Sequence, residues 1–298
     1  MKQARPLKSG SVAARSPARD RILALMLEQV EAIRAHERGT RAGTDPEHLH
    51  KMRTAVRRLR AILGAVREMF DPGWLGGLRA ELDWLGTLLG DLRDLDVFRQ
   101  HLRAELSSLK SAGRAEGRAL LDRLDAERVR ARVNLHAALD GPRYLKLLDR
   151  LDNAVEYPRV VTAKLSLPAI AAGQFRKLRK AVKALPEAPS NDDLHAVRIR
   201  VKRARYAAEL AQTLVGRPAK QFVTRAKKVQ DILGEHQDAA VAEGRLRALV
   251  GRDGDRPERL LARKLVTRQR ARRHAAQTDF FEQWPKLKRR GDKAWTTE

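Results

Sequence analysis

The chain has 298 residues, enough for one large or two medium domains with a substantial core. Its 62 lysines and arginines against 37 acidic residues leave a net charge of +25. That surplus points to a polyanion: nucleic acid, an anionic membrane surface or inorganic polyphosphate. Zero cysteines exclude disulfides and thiolate metal sites and suit a reducing cytosol, and 4% aromatics is thin for stacking single-stranded bases.

Residues 1–19 carry Lys, Arg, Ser and Pro with little apolar content and are expected to form a disordered basic tail. Ile22, Leu25, Met26, Gln29, Val30 and Ile33 then give a helical stripe that ends near Gly39. The apolar runs at 22–27 and 167–172 are far shorter than the ~20 residues of a spanning helix. The first is also too short for a signal-peptide core, so the expectation is a soluble cytoplasmic protein.

Asp45-Pro46-Glu47 opens the next helix, with proline near its first position and acid in its first turn. It is expected to run to about Phe70, where Asp71-Pro72-Gly73 breaks it. A helix over 74–89 follows, with Leu75, Leu78, Leu82, Leu85 and Leu89 as its stripe. The stretch Leu89-Gly90-Asp91-Leu92-Arg93-Asp94-Leu95-Asp96-Val97 is expected to lead into a separate helix toward Leu109. Further helices are expected over 114–139, over 144–155 and, after Pro168, up to about 185. Residues 186–191 read as a turn or linker, and the helix after it is broken by Arg217-Pro218. A helix over 220–233 leads to Leu233-Gly234-Glu235-His236-Gln237-Asp238. After a loop at 251–257, a very basic helix covers about 258–278, and the end from Gly291 should fray. No run of alternating β-branched residues occurs, so the fold is expected to be all-α with about ten helices.

Two of these helices carry the same pattern. In the first, His50, Arg53, Arg57 and Arg60 fall within roughly 80° of one another, opposite Met52, Val56, Leu59 and Leu63. In the second, His195, Arg198, Lys202 and Arg205 lie opposite Val197, Val201, Ala204 and Ala208. The two histidines are 145 residues apart, and the two Leu-Gly stretches are 144 apart. Two motifs in the same order at nearly one offset indicate an internal duplication. The expected architecture is two helical-bundle halves packed with pseudo-twofold symmetry, repeats 20–158 and 159–290, whose His/Arg faces line a shared groove.

Stacked cations on one helix face repel each other, so an anion is expected to lie there. Arg offers a planar fork for phosphate oxygens, and Lys a compact charge. Arg53 to Arg60 spans ~10 Å along the axis, which suits a chain of charges better than one small ion. Neighbouring cations oppose protonation of a histidine here and a bound phosphate favours it, so histidine is expected to tune binding rather than catalyse. A hydrogen bond to a carboxylate of the same bundle is the plainer role for such a ring. His48 and His50 do not share a helix face, and no H-E-x-x-H occurs, so no metal site is expected.

Asp91, Asp94 and Asp96 suggest metal-assisted chemistry, but their counterparts are only Glu235 and Asp238, with Ala240 in the third place. A structural role is expected for them, at a helix start or paired with the arginines of the two patterned helices. No P-loop, G-x-G-x-x-G, G-x-S-x-G or E-x-E-x-K motif is present. The other basic runs, Arg176/Lys177/Arg179/Lys180/Lys183, Lys220/Arg225/Lys227/Lys228 and Arg263/Lys264/Arg268/Arg270/Arg272/Arg273, read mostly as solvated faces that could widen the anion surface. A binding protein without catalytic activity or cofactor is the reading favoured. A nucleic-acid-binding protein is the alternative, and a phosphate-hydrolysing enzyme is the third.

The combination His50-x-x-Arg53-x-x-x-Arg57-Arg58-x-Arg60 with Leu89-Gly90-x-x-Arg93-Asp94-x-Asp96-Val97 resembles the CHAD family, the conserved histidine α-helical domain. The second half matches as His195-x-x-Arg198-x-x-x-Lys202-Arg203-x-Arg205-Tyr206 and Leu233-Gly234-x-x-x-Asp238. The resemblance covers residues 20 to 285 and departs from the pattern at Gln237 and Ala240. It implies two helical-bundle halves that bind inorganic polyphosphate, in some members at polyphosphate granules. Carried over, the binding residues are His50, Arg53, Arg57, Arg58, Arg60, His195, Arg198, Lys202, Arg203 and Arg205. Arg58 and Arg203 lie off the shared face on ideal geometry. Many members are fused to a triphosphate-tunnel domain, for which this chain is expected to have no room.

Overall fold

The computed structural model describes residues 16–108, 114–162, 165–251 and 255–295. Among them the elements run α1 (Pro17–Ala42), α2 (Pro46–Ala65), a 3-10 turn (Arg67–Met69), α3 (Pro72–Ser107), α4 (Arg114–Asp140), α5 (Pro142–Glu156), α6 (Leu167–Lys183), α7 (Asn191–Val215), α8 (Arg217–Val250) and α9 (Arg256–Trp295). The β-type pairing among the described residues is an isolated bridge between Phe70 and Val160, which pins the segment after α5 to the turn before α3. The chain is all-α.

Caps explain the starts. Asp45 accepts from the Glu47 N–H at 2.8 Å ahead of α2. Asp71 accepts from Trp74 N–H, also at 2.8 Å, ahead of α3. Ser190 and Asp193 form a reciprocal capping box on α7. Gly216 ends α7 at φ 74°, a left-handed position that favours glycine. Arg217 and Pro218, expected as the break, are instead the first residues of α8.

Four further expectations are corrected. Of the expected tail, residues 1–15 lie outside the described residues, while Pro17 to Arg19 are helical, with Ser16 as cap. α2 stops at Ala65, short of Phe70, and the chain tightens into the 3-10 turn. α9 continues through Pro285 to Trp295, and Gly291 is buried: a Cβ there would lie 2.2 Å from the Phe175 ring on α6. The two Leu-Gly stretches do not end helices. Both lie inside α3 and α8, of 36 and 34 residues.

The core shows why those helices are continuous. Its buried residues form three clusters. The first is built mainly from α1, α2, α5 and the front of α3, with Leu167 and Ala171 of α6 and Ala207, Leu210 and Ala211 of α7. The second joins α6, α7, the front of α8 and the back of α9 around Phe222 and Phe280. The third is made by Leu95, Phe98 and Leu102 of α3, Leu120 and Leu124 of α4, Ala242, Leu246 and Val250 of α8, and Leu261 and Leu265 of α9. α3 and α8 thus each cross from one half's core into a bundle common to both, and the Leu-Gly stretches sit at the crossing. Repetition of element order supports the duplicated plan: α2 and α7 begin 145 residues apart, as do α3 and α8. Residues of α6 and α7 in the first cluster mean the division at 158/159 does not cut the core cleanly.

Candidate functional site: a cationic cleft between α2 and α7

Each patterned helix buries its apolar stripe. Met52, Val56, Leu59 and Leu63, like Val197, Val201, Ala204 and Ala208, are at most 1% exposed. The two helices pack on each other, and their basic faces therefore meet along one seam. Arg198 lies within electrostatic reach of Arg53 and Arg57, and Lys202 within reach of Arg53, Arg57, Arg60 and Arg198. One end of the seam opens into a cavity of about 470 Å³ lined by Arg57, Arg60, Arg200, Lys202 and Arg203, with Arg67, Arg79 and Lys177 from neighbouring elements. Arg57 and Lys202 belong to both parts and join them.

The far end holds the histidines and two aspartates. Arg53 Nη2 donates to Asp94 Oδ1 at 3.0 Å. His195 Nδ1 lies 2.8 Å from Gln237 Oε1, which fits a ring that donates from that nitrogen. In the first half, Arg93 stands where Gln237 does in the second, and it faces His50 as a cation. Burial, then Arg93, lowers the His50 pKa from its ordinary value. Burial likewise lowers that of Arg198, against Asp238, while Arg57 and Arg53 add to the fall. Lys202 is pushed down to about 8, first by burial and then by Arg198, Arg57, Arg53 and Arg60. Asp238 keeps contact with solvent yet has protein on most sides, and this confinement, with Glu235 and Asp94 nearby, raises its pKa against the pull of Arg198. The Nε atoms of both Arg57 and Arg198 are buried without a hydrogen-bond partner. Such donors cost stability until something accepts from them.

α3 is thin where it faces these cations. A Cβ on Gly86 would lie 3.1 Å from Arg60 Nη1, and one on Gly90 would lie 3.6 Å from Arg53 Nε. The tight approach is at Gly86, whereas at Gly90, the glycine read as a helix break, a methyl group would make only ordinary contact with the Arg53 guanidinium. Gly234, its counterpart, has nothing so near, and the structure gives no account of it.

Two expected residues are not brought to the cleft. Arg58 is exposed on another side of α2 and lines a separate cavity of about 280 Å³ with Arg21, Glu28 and Glu209. Arg205 is only 9% exposed; it ion-pairs with Glu209, donates to Gln230 at 3.0 Å and lies over the Tyr206 ring at 4.3 Å. Its counterpart Arg60 does reach the cavity, beside an ion pair with Asp83. Arg203, off the face on ideal geometry, does line the cavity. Missed altogether were Arg67, Arg79 and Arg200, and Arg93 was noted only as part of its motif. Arg67 lies in the 3-10 turn and Arg79 on α3 away from its leucine stripe, neither within a repeated basic pattern, so only packing reveals them.

The acidic stretches lie mid-helix rather than at helix starts. Asp94 faces the cations, whereas Asp96 binds Arg128 of α4, and Glu235 binds Arg272 of α9 at 2.6 Å. No group of three or more His, Cys, Asp or Glu able to hold a metal occurs among the described residues. The basic run of α9 is less solvated than expected. Arg268 pairs with Glu105, Arg272 with Glu235, and Arg270 and Arg273 with Glu243.

The model of the CHAD domain matches residues 24–247. The chain belongs to the CHAD family. Two relatives from Mycobacterium tuberculosis, the uncharacterized proteins MT2285 and Rv2226, are each 31% identical over 241 residues, 77% of this chain and 45% of theirs. The chain spans less than half the length of these curated relatives. A crystal structure of the CHAD domain from the plant Ricinus communis is 25% identical, with a TM-score of 0.72 over 96% of this chain and 97% of that one. PptA from Streptomyces chartreusis has the same fold, at a TM-score of 0.76 and 23% identity over 91% of this chain and all of its own. Within this CHAD fold, the cleft is where residues from both sequence motifs converge.

Proposed function

We propose that the protein binds inorganic polyphosphate in the α2–α7 cleft without chemically altering it, as an adaptor or granule-associated factor of the cytoplasm. The observation that carries the reading is the convergence of Arg53, Arg57 and Arg60 with Arg198 and Lys202, residues from two helices, on one elongated cleft. Membership of the CHAD family supports phosphate chains as the ligand, and the two repeats, 20–158 and 159–290, would act as one binding unit. A thin chain of phosphates offers acceptors along its whole length, including to the Arg57 and Arg198 Nε atoms that have none. Asp94, Asp96 and Glu235 each pair with an arginine, and in this reading their role is structural. No helix among the described residues is long and apolar enough to cross a membrane.

The test is competition at about 0.15 M salt between long-chain polyphosphate and duplex DNA or RNA, at equal phosphate concentration. Polyphosphate is expected to win, with no release of orthophosphate. Equal or better binding of nucleic acid would favour the alternative class, and steady orthophosphate release would make the protein an enzyme.

A further inference from the structure

A second basic groove lies away from the cleft, between the last turns of α8 and the first half of α9. It encloses about 500 Å³ and is lined by Arg247, Arg259, Arg263 and Arg270 around a floor of Val250 and Val266. On an ideal helix Arg259, Arg263 and Arg270 fall within roughly 40° of one another. Arg272, which meets Glu235 near the cleft, points to roughly the opposite side of α9.

The groove is built from below. Glu243 is 5% exposed, and its two oxygens take Arg247 at 2.6 Å, Arg270 at 3.0 Å and Arg273 at 3.0 Å. One carboxylate thus fixes three guanidiniums and neutralises one. Arg263 has no carboxylate partner among the described residues. Thr267, the hydroxyl in the lining, already donates to the Arg263 carbonyl at 3.0 Å. Among the described residues the groove's charged lining is arginine, and Arg263 is the one whose charge no carboxylate there offsets.

We propose that this groove is a second anion site, which takes a short inorganic polyphosphate independently of the cleft. Guanidinium forks match phosphate oxygens, and those held by Glu243 lose little freedom on binding. Arg259 to Arg270 spans ~16 Å of helix, too far for one orthophosphate and suited to a few linked ones. Among the described residues the lining has no aromatic side chain to stack a base and no carboxylate or side-chain amide to read a base edge, which disfavours nucleic acid. The proposal goes beyond the reading of the cleft and does not depend on it.

Inorganic tripolyphosphate is the probe, titrated by calorimetry into the full chain at about 0.15 M salt. A cleft variant, Arg53→Ala/Arg57→Ala/Lys202→Ala, is expected to keep one binding event per chain. Adding Arg259→Ala/Arg263→Ala, or Arg263→Glu alone, is expected to weaken that event tenfold or more. All three groove substitutions are at exposed positions, so the fold is expected to persist. A cleft variant silent toward tripolyphosphate, or one whose binding ignores the groove substitutions, overturns the proposal. Displacement by an oligothymidylate of equal phosphate count at equal strength overturns the ligand class. If groove substitutions in the otherwise unchanged chain abolish all binding while cleft substitutions abolish none, this inference stands and the reading of the cleft falls.

Discussion

Arg53 and Asp94 are joined across α2 and α3 at 3.0 Å, and Arg198 and Asp238 face each other at the same places in the second half. The cleft therefore carries its own counter-ions. They reduce repulsion among the cations of the empty protein and compete with any anion that enters. The Asp238 pKa is raised from the ordinary carboxylate value by confinement and then by Glu235 and Asp94, against the pull of Arg198.

Removing these charges should strengthen binding. Asp94→Asn and Asp238→Asn each keep a hydrogen-bond acceptor and remove a competing charge, worth about 1 kcal/mol at a solvated site, or about fivefold in affinity. Binding of long-chain polyphosphate measured for both variants across a salt series checks this. Weaker binding by Asp94→Asn would mean that the carboxylate orients Arg53 for the ligand instead.

Arg205 is expected to matter for folding and not for the ligand. Arg205→Ala strands Glu209, a carboxylate whose pKa is already raised by burial, and loses the bond to Gln230. Charge-assisted bonds of this kind contribute about 1.5–3 kcal/mol, so the variant should melt earlier while binding polyphosphate nearly as well per folded molecule. Arg57→Ala should behave in the opposite way. The pair of variants, compared by thermal melting and by titration, separates the two roles; a strong binding defect in Arg205→Ala at intact stability would return it to the site.

Much of this was readable beforehand. The apolar stripes of α2 and α7, fixed by helical period, placed their basic faces correctly. What failed was the assumption that equivalent positions in two repeats have equivalent neighbours. Arg60 and Arg205 are such a pair, but one turn beyond Arg205 stands Glu209, where the first copy has Gly64. An arginine with a carboxylate four residues on pairs within its own helix. Arg60, lacking one, crosses to Asp83, whose counterpart at the 144-residue spacing is Lys227. That difference was visible in the sequence. The continuity of α3 and α8 was not, because a glycine inside a helix costs only about 1 kcal/mol, and burial of Leu92, Leu95 and Phe98 beyond Gly90 outweighs it. The contributions of Arg67 and Arg79 to the cavity arise from tertiary packing alone.

Gly291 should be intolerant of a methyl group. The Phe175 ring occupies the place of its Cβ at 2.2 Å, and that ring is itself packed edge-on against Phe222 in the second cluster. Gly291→Ala would gain helix propensity but must displace the ring, at a cost of about 1–3 kcal/mol. A lowered denaturation midpoint, with an unchanged denaturant slope, is the expected result. A rise in stability would show that α6 and α9 separate there at little cost.

Lys202 should leave its mark on stability at alkaline pH. Its folded pKa, about 8, lies below the ordinary lysine value of 10.5, so between those values the unfolded chain holds more protons than the folded one. Stability linked to this group therefore rises with pH across that window and is constant below it. The comparison is between the wild type and Lys202→Met, in thermal melts from about pH 7 to 11. The difference curve should show the wild type gaining on the variant as pH rises. A flat difference would mean that the lysine is solvated and feels little of Arg198, Arg57, Arg53 and Arg60.

Binding should show two proton-linked windows, and His50 owns the acidic one. In the free protein, burial and then Arg93 lower the His50 pKa from its ordinary value, which favours the neutral ring. A polyanion beside it favours the protonated form and raises the pKa in the complex. Binding then takes up protons between the free and bound values, and affinity falls as pH rises through that interval, levelling off on either side. Lys202 gives the same sign of change higher up, starting near its free value of about 8. His50→Gln/His195→Gln should flatten the acidic window, leave the alkaline one and keep most of the affinity, which the arginines carry. Titrations of long-chain polyphosphate from about pH 5 to 10, with wild type, the histidine pair and Lys202→Met, read the two windows separately. Retention of the full acidic window by the histidine pair would assign it to Asp238, the one other cleft group whose raised pKa draws it toward that range, and leave His195 as a structural partner of Gln237.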